Sequence, residues 1–319
     1  MEESVGIASL RRQDINPTVT CMITLAEKAQ SIVADKKTNQ LVGKMQGRQP
    51  SSFASKYGPW AIVTGASSGI GEEFARQLAA EGFNLVLAAR RQQQLEQLAD
   101  ELSSKNGIKV IVVVVDLAKP NALEILQAAT GDIEVGLLVN NAGIENHGPF
   151  AEQQLIKETR LIQLNVLAPM QLAHHFASKM HARKRGGIIF VSSAAGFGAW
   201  PYLANYAASK AYLLTLGESL HYELTKHGVD VTVLAPGLTR TAMADNIGAA
   251  VDFSRFPMKM MHVKDVVRPA LSALGRKSSV IPGWINNIVT FVRKRILSRR
   301  GDTNAFGRLM DGAVRKANV

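Results

Sequence analysis

A glycine-rich turn between an apolar run and a helical pattern constrains this chain most. Trp60-Ala61-Ile62-Val63 is followed at once by Thr64-Gly65-Ala66-Ser67-Ser68-Gly69-Ile70-Gly71. A short unbroken apolar run reads as a strand buried on both faces, the situation of a parallel sheet covered by helices on each side. Gly65 permits a tight exit from the strand. Gly69 and Gly71 let the backbone approach a ligand and let the next helix pack against the sheet. That helix, from about Gly69 to Glu81, would offer free N–H groups and a positive dipole end to a pyrophosphate. Ser67, Ser68 and Ile70 share the turn and become candidate ligand contacts.

The alternation continues downstream. Strands are expected at Asn84–Ala89, Lys109–Val115, Gly136–Asn140, Ile188–Ser192 and Asp230–Leu234, with a last one near Ile281. Helices are expected over Gln92–Ser103, over a long stretch Ile156–Lys184 bent at Pro169, and over Ala204–His227. The pattern predicts an α/β fold built on a seven-stranded, doubly wound parallel sheet. We place one domain over residues 58–283. Residues 1–57 read as a poorly ordered extension, with a short amphipathic pattern over Thr24–Gln40 and a linker at Gln49-Pro50-Ser51-Ser52. Residues 284–319 form a basic tail.

Four polar residues stand behind this frame. Tyr206 and Lys210 are four apart, so they share one face of a helix. An ammonium beside a phenol favours the phenolate and draws a high tyrosine pKa towards the working range. Ser193 follows the apolar run Gly187–Ser192, at the strand end that opens on a ligand crevice. Asn165 lies inside the long helix, where it either serves the site or bonds to local backbone.

Taken in order and spacing, several segments resemble the short-chain dehydrogenase/reductase family in its single-domain branch. They are Thr64-Gly65-x-x-x-Gly69-x-Gly71, Asn140-Asn141-Ala142-Gly143, Asn165, Ser193, Tyr206-x-x-x-Lys210 and Pro236-Gly237-x-x-x-Thr241. The likeness covers roughly residues 58–283. It implies a Rossmann fold and hydride transfer between a nicotinamide and a carbonyl or secondary alcohol. Ser193 would bond the substrate oxygen, Tyr206 would transfer the proton, and Lys210 would tune Tyr206 and hold the nicotinamide ribose. Asn165 would hold a water that links Lys210 to solvent. Asn141 would wall the adenosine side, while Pro236, Gly237 and Thr241, with Thr239 as the alternative to Thr241, would meet the nicotinamide end. Asp116 would either meet the adenine amino group or simply close a strand-end turn.

Arg90-Arg91 ends the second strand, where the adenosine ribose would lie. An acid there bonds the free 2′-hydroxyl of NAD, whereas a cation suits the 2′-phosphate of NADP. We therefore expect NADP(H) to be preferred, with NAD(H) possible. The opening Tyr57-Gly58-Pro59-Trp60 is similar to the branch of 3-oxoacyl-CoA and 17β-hydroxysteroid reductases. A reductase of that kind at a membrane surface is one alternative. A non-catalytic dinucleotide-sensing regulator is another, disfavoured because it needs no full tetrad.

The net charge of +11 belongs to the ends: residues 276–319 carry 10 Lys+Arg against 2 Asp+Glu. A basic tail on a neutral core is no argument for nucleic-acid binding. His174, His175 and His181 lack metal-ligand company, so no metal site is expected. No leader pattern and no membrane-length apolar run stand out, and Cys21 is the single cysteine, all of which points to a cytoplasmic protein. Glu145 and His147 face either the pocket or solvent. Met243, Phe253, Phe256, Met258, Met260 and Met261 form either an adaptable lid for a bulky apolar substrate or ordinary core, and Phe197, Trp200 and Tyr202 could wall the pocket. The resemblance also implies that the helices at 156–184 and 204–227 pair across a two-fold interface; both are rich in alanine and leucine, which permits close packing, so a homodimer or tetramer is expected. In the tail, Trp284, Ile285, Ile288, Val289, Phe291, Val292 and Ile296 recur at helical spacing among Arg293, Lys294, Arg299 and Arg300. Such a helix lies on an anionic membrane, closes the substrate pocket or packs on a sister subunit.

Overall fold

The computed structural model describes residues 51–248 and 260–313. Its first half runs α1 (Ser52–Tyr57), β1 (Trp60–Thr64), α2 (Gly69–Ala80), β2 (Asn84–Ala89), α3 (Gln92–Asn106), β3 (Val110–Val114), α4 (Ala122–Thr130) and β4 (Val135–Asn140). Then follow α5 (Leu155–Ile162), α6 (Ala168–Ala182), β5 (Gly186–Val191), α7 (Ala204–Thr225), β6 (Val229–Leu234) and α8 (Ala242–Gly248). The chain closes with α9 (Val263–Ala273), β7 (Ser279–Val280), α10 (Trp284–Arg295) and α11 (Arg299–Ala313).

All seven strands are parallel, in the order β3-β2-β1-β4-β5-β6-β7. The order reverses between β1 and β4, so a crevice opens beyond the carboxyl ends of those strands. Strand alternation sends side chains to two cores. Ala61 and Val63 of β1 pack with Phe74 and Leu78 of α2 and with Val266 and Ala270 of α9. Ile62 points the other way, to the cluster that holds Phe176 of α6 and Leu213 of α7. Each fully buried side chain of this size contributes about 1.5–3 kcal/mol. The doubly wound α/β expectation holds.

Several boundaries differ from the sequence reading. Residues 52–57, expected in the extension, form α1 and belong to the packed domain, with Ala54 and Tyr57 in its core. Ser51 caps the helix by accepting from the Ala54 amide at 3.1 Å. Tyr57 is buried and donates to Asp230 at 2.9 Å, while Phe53 meets Phe83 edge-on. Ser51 and Ser52, expected in a linker, instead cap and open that helix. The Thr24–Gln40 pattern, Gln49-Pro50, Cys21 and the lid residues Phe253, Phe256 and Met258 lie outside the described residues.

The long helix expected over 156–184 is three pieces. Between α5 and α6 the turn Gln163–Leu167 is a π-helix, with the Ala168 amide bonded five residues back to Gln163. Pro169 has no N–H to offer and crowds the preceding turn, so the backbone widens just before it. The last strand, expected near Ile281, is Ser279–Val280, just before it. It pairs with Val233 and Leu234 of β6, a choice set by the neighbour and not by local pattern.

Candidate active site

The carboxyl end of β5 delivers Ser193. Its extended backbone opens a short 3-10 turn (Ala194–Phe197), and its Oγ accepts from the Ala195 amide at 3.1 Å. Gly196 in that turn lies against the Lys210 carbonyl of α7, where a Cβ would come within 2.8 Å. The Ser192 hydroxyl donates to the same carbonyl at 2.6 Å. These contacts clamp the serine loop to the helix that carries Tyr206 and Lys210.

Lys210 is buried, donates from Nζ to the Val191 carbonyl at 3.0 Å and stands 5.7 Å from the Tyr206 ring centre. Burial pushes its pKa down to about 8. The Tyr206 ring is partly exposed, but its hydroxyl is densely surrounded and its pKa is pushed up to about 12. Burial is the main cause; a hydrogen bond from Ser193 works against it, and the Glu145 carboxylate adds to it. The sequence reading had Lys210 drawing the phenol downwards. As the pocket stands, desolvation outweighs that pull. Tyr206 is therefore a protonated donor at neutral pH, the state a reduction needs.

Asn165 is fully buried in the π-turn. Its Oδ1 accepts from the Ile144 amide at 2.9 Å, and its Nδ2 donates to the Ile144 carbonyl at 2.8 Å and to Ser209 at 3.1 Å. A Cβ on Gly143 would touch both Asn165 Oδ1 and Lys210 Nζ, at 3.2 and 3.3 Å. Asn165 thus pins the loop after β4 next to Lys210 but does not line the cavity.

The cavity itself is about 490 Å³ and runs along the crevice. Gly65, Ser67, Ser68, Gly69 and Ile70 line one end with Arg90 and Asp116. Asn141, Lys210, Pro236, Gly237, Thr239 and Thr241 line its middle. Ser193 and Tyr206 stand at the other end with Trp200, Leu203, Met243 and Met310. Gly71, named as a contact, lies outside the lining. A Cβ there would fall 2.3 Å from the Gly65 carbonyl, so its role is packing.

Finer contacts separate roles that spacing alone left open. Asn141 donates to the Thr64 carbonyl at 2.7 Å, tying β4 to β1. Asp116 accepts from the Ala118 amide at 3.1 Å and from Arg160 at 2.7 Å. Burial would raise its carboxyl pKa, but the Arg160 bond prevails and holds it below the usual range. It both closes a strand-end turn and faces the cavity. Thr241 accepts from the Ala244 amide at 3.3 Å and faces Gly69, where a Cβ would lie 3.1 Å from its Cγ2.

Three features were missed or underrated. Arg91, rather than Arg90, folds onto the glycine turn, donating to Ser67 at 3.0 Å and Ser68 at 2.5 Å. Glu145 lines the cavity with its side chain buried, 3.2 Å from His147, and burial raises its carboxyl pKa. Met310 comes from the tail to pack with Trp200 and Leu203. Arg91 had a sequence signal in its place beside Arg90 and Glu145 in its place just after Asn-Asn-Ala-Gly; Met310 had none. Of the proposed aromatic wall, Trp200 lines the cavity, Phe197 instead faces Lys294, and Tyr202 bonds Asp311.

Residues 59–252 match the short chain dehydrogenase family. This chain is a short-chain dehydrogenase. It is 35% identical over 270 residues to a very-long-chain 3-oxoacyl-CoA reductase of Phaeosphaeria nodorum, covering 80% of this chain and 76% of the relative. A 7beta-hydroxysteroid dehydrogenase of Clostridium sardiniense is 32% identical over 239 residues, covering 74% and 89%. A structure reported for 7beta-hydroxysteroid dehydrogenase stereoselectivity superposes with a TM-score of 0.75 at 30% identity, covering 80% and 99%. A Sphingobium yanoikuyae short-chain dehydrogenase in complex with NADPH gives 0.64 at 30%, covering 82% and 98%. The dehydrogenase is accordingly a nicotinamide-dependent oxidoreductase of carbonyl and alcohol groups. Its cavity fits such a cofactor: glycine backbone and cations stand at one end, and a serine–tyrosine pair at the other.

Proposed function

We propose that this dehydrogenase reduces a bulky apolar ketone, or oxidises the matching secondary alcohol, with NADP(H). The observation that carries this reading is the Ser193–Tyr206 hydroxyl pair at the cavity end walled by Trp200, Leu203, Met243 and Met310. Bound nicotinamide would supply or accept the hydride. Ser193 donates a hydrogen bond to the carbonyl oxygen as negative charge grows there, and Tyr206 gives its proton. Charged Lys210 then offsets the phenolate left behind, and the Asn165 clamp keeps the Ile144 loop and Lys210 in register. The adaptable methionines and rigid Trp200 suit a wide hydrophobic body. Glu145 supplies a polar contact in that wall.

Arg90 and Arg91 support the NADP preference, since both cations line the end where a 2′-phosphate would sit. The relatives that act on 3-oxoacyl-CoA and on hydroxysteroids fall within the same substrate class. A homodimer through α5–α7 is part of this reading.

Tyr206→Phe is expected to lower turnover by about a hundred- to ten-thousandfold, the worth of a placed general acid. NADPH affinity, followed by cofactor fluorescence, stays near the wild-type value. Wild-type turnover in this variant would remove Tyr206 from the mechanism. Following NADPH consumption with long 3-oxoacyl thioesters and with oxosteroids separates the two substrate types.

A further inference from the structure

The tail helix α10 is docked with its polar side inward. Asn286, Thr290 and Arg293 are 5%, 6% and 8% exposed, whereas Trp284, Ile288 and Phe291 are 73%, 53% and 60% exposed. A helix held only by burial of its apolar stripe would turn the other way. Specific bonds fix this orientation. Asn286 Nδ2 donates to the Pro282 carbonyl at 2.8 Å and its side chain lies against Gly237. Arg293 meets Asp302 of α11 through two bonds, 2.7 and 3.0 Å, with its guanidinium 3.9 Å from the Phe306 ring centre. Asn286 and Arg293 are thus bonded on the inner side, which holds the stripe outwards.

Outside, the stripe continues from Trp284 through Ile288 and Phe291 to exposed Ile296 and Leu297, a span of roughly 20 Å at helical rise. Lys294, Arg295, Arg299 and Arg300 are exposed beside its far end. Between Ile281 and Met310 the only acid is Asp302, which Arg293 neutralises. No described helix is long and apolar enough to cross a membrane.

We propose that this face is a docking surface for an anionic lipid bilayer, with α10 lying flat in the interface. Large apolar side chains with tryptophan at one end and exposed cations at the other match the headgroup boundary of such a surface. Charge favours an anionic occupant over a second copy, whose identical patch carries the same cations and no free acid to meet them. The inference stands apart from the catalytic reading. The surface belongs to the same helix pair that brings Met310 to the cavity, so docking would bring the substrate end close to the lipid.

The test is co-sedimentation of the full chain with vesicles of phosphatidylcholine plus phosphatidylserine, against phosphatidylcholine alone. Binding is expected to the mixed vesicles, weakened by salt. Arg299→Glu with Arg300→Glu should lower it roughly tenfold or more, since each removed cation weakens partitioning about fivefold. Ile288→Ser with Phe291→Ser should abolish it. Both variants change exposed side chains, and an unchanged melting temperature shows that they fold. Absence of vesicle binding by the wild type, or equal binding by the variants, overturns the proposal. Absence of wild-type binding together with a fall in molar mass by light scattering in the Ile288→Ser/Phe291→Ser variant would make the patch an interface between copies instead.

Discussion

Lys210 shows how a residue can be fit for its site and costly to the fold. Its pKa falls from an ordinary 10.5 to about 8 because burial disfavours the ammonium. The unfolded chain therefore binds more protons than the folded one between about pH 8 and 10.5, so this residue makes stability rise with pH across that window. Below pH 8 its penalty is complete, on the order of 3 kcal/mol. Lys210→Met should thus be inactive yet no less stable at pH 7 after the loss of the Val191 bond. Its stability gap to wild type should narrow or reverse towards pH 10. Denaturant unfolding at pH 7 and pH 10 checks this; a gap independent of pH would mean that the lysine is solvated. Arg90 and Arg91 carry a second residue-scale prediction. Losing one charge-assisted bond is worth about 1.5–3 kcal/mol, roughly ten- to a hundredfold in NADPH affinity, with NADH little changed. Arg90→Asp and Arg91→Asp titrated with both cofactors measure each share. Equal loss of both cofactors would point to a damaged turn. Spacing identified Tyr206, Lys210 and Ser193 as partners. Glu145 stayed open between pocket and solvent because a loop carboxylate looks the same in sequence whether it faces water or a cavity.

At the scale of elements, two helices decide what the pocket end looks like. α10 and α11 are joined by the buried Arg293–Asp302 pair, and α11 carries Met310 onto Trp200 and Leu203. Removing one partner strands a buried charge, at about 3–5 kcal/mol. Asp302→Ala should lower the melting temperature and raise KM for a bulky ketone more than it changes kcat, with NADPH affinity intact. Steady-state kinetics beside thermal unfolding reads both effects, and an unchanged KM would detach the tail from the substrate. The apolar stripe of α10 is legible in the sequence, but hydrophobic periodicity says where a helix forms and not which side it buries. The break in the helix before Pro169 was legible only as a bend. The choice of a π-turn, which sinks Asn165 against Ile144 and Ser209, depends on the loop after β4 and on α7.

For the whole molecule, assembly is the open quantity with a direct readout. Leu155, Ile156, Leu167, Tyr212 and Tyr222 are exposed along α5, the π-turn and α7. Such apolar side chains on neighbouring elements favour pairing across a two-fold axis. Light scattering should give a dimer or tetramer, and Leu167→Glu with Tyr212→Glu should give a monomer; an unchanged mass in that variant would place the interface elsewhere. The sequence by itself determined the parallel α/β plan, the glycine turn, the order of the motifs and the candidate tetrad. Each of these is written in short-range terms, as apolar runs, glycine positions and a four-residue helical step. Tertiary structure alone decided that α1 belongs to the domain, that burial overrides the lysine's pull on Tyr206, that Arg91 folds onto the serines, and that the tail brings Met310 to the pocket while α10 turns its apolar face outwards. Those outcomes rest on contacts between residues far apart in the chain, whose balance of desolvation, hydrogen bonding and packing no local pattern records.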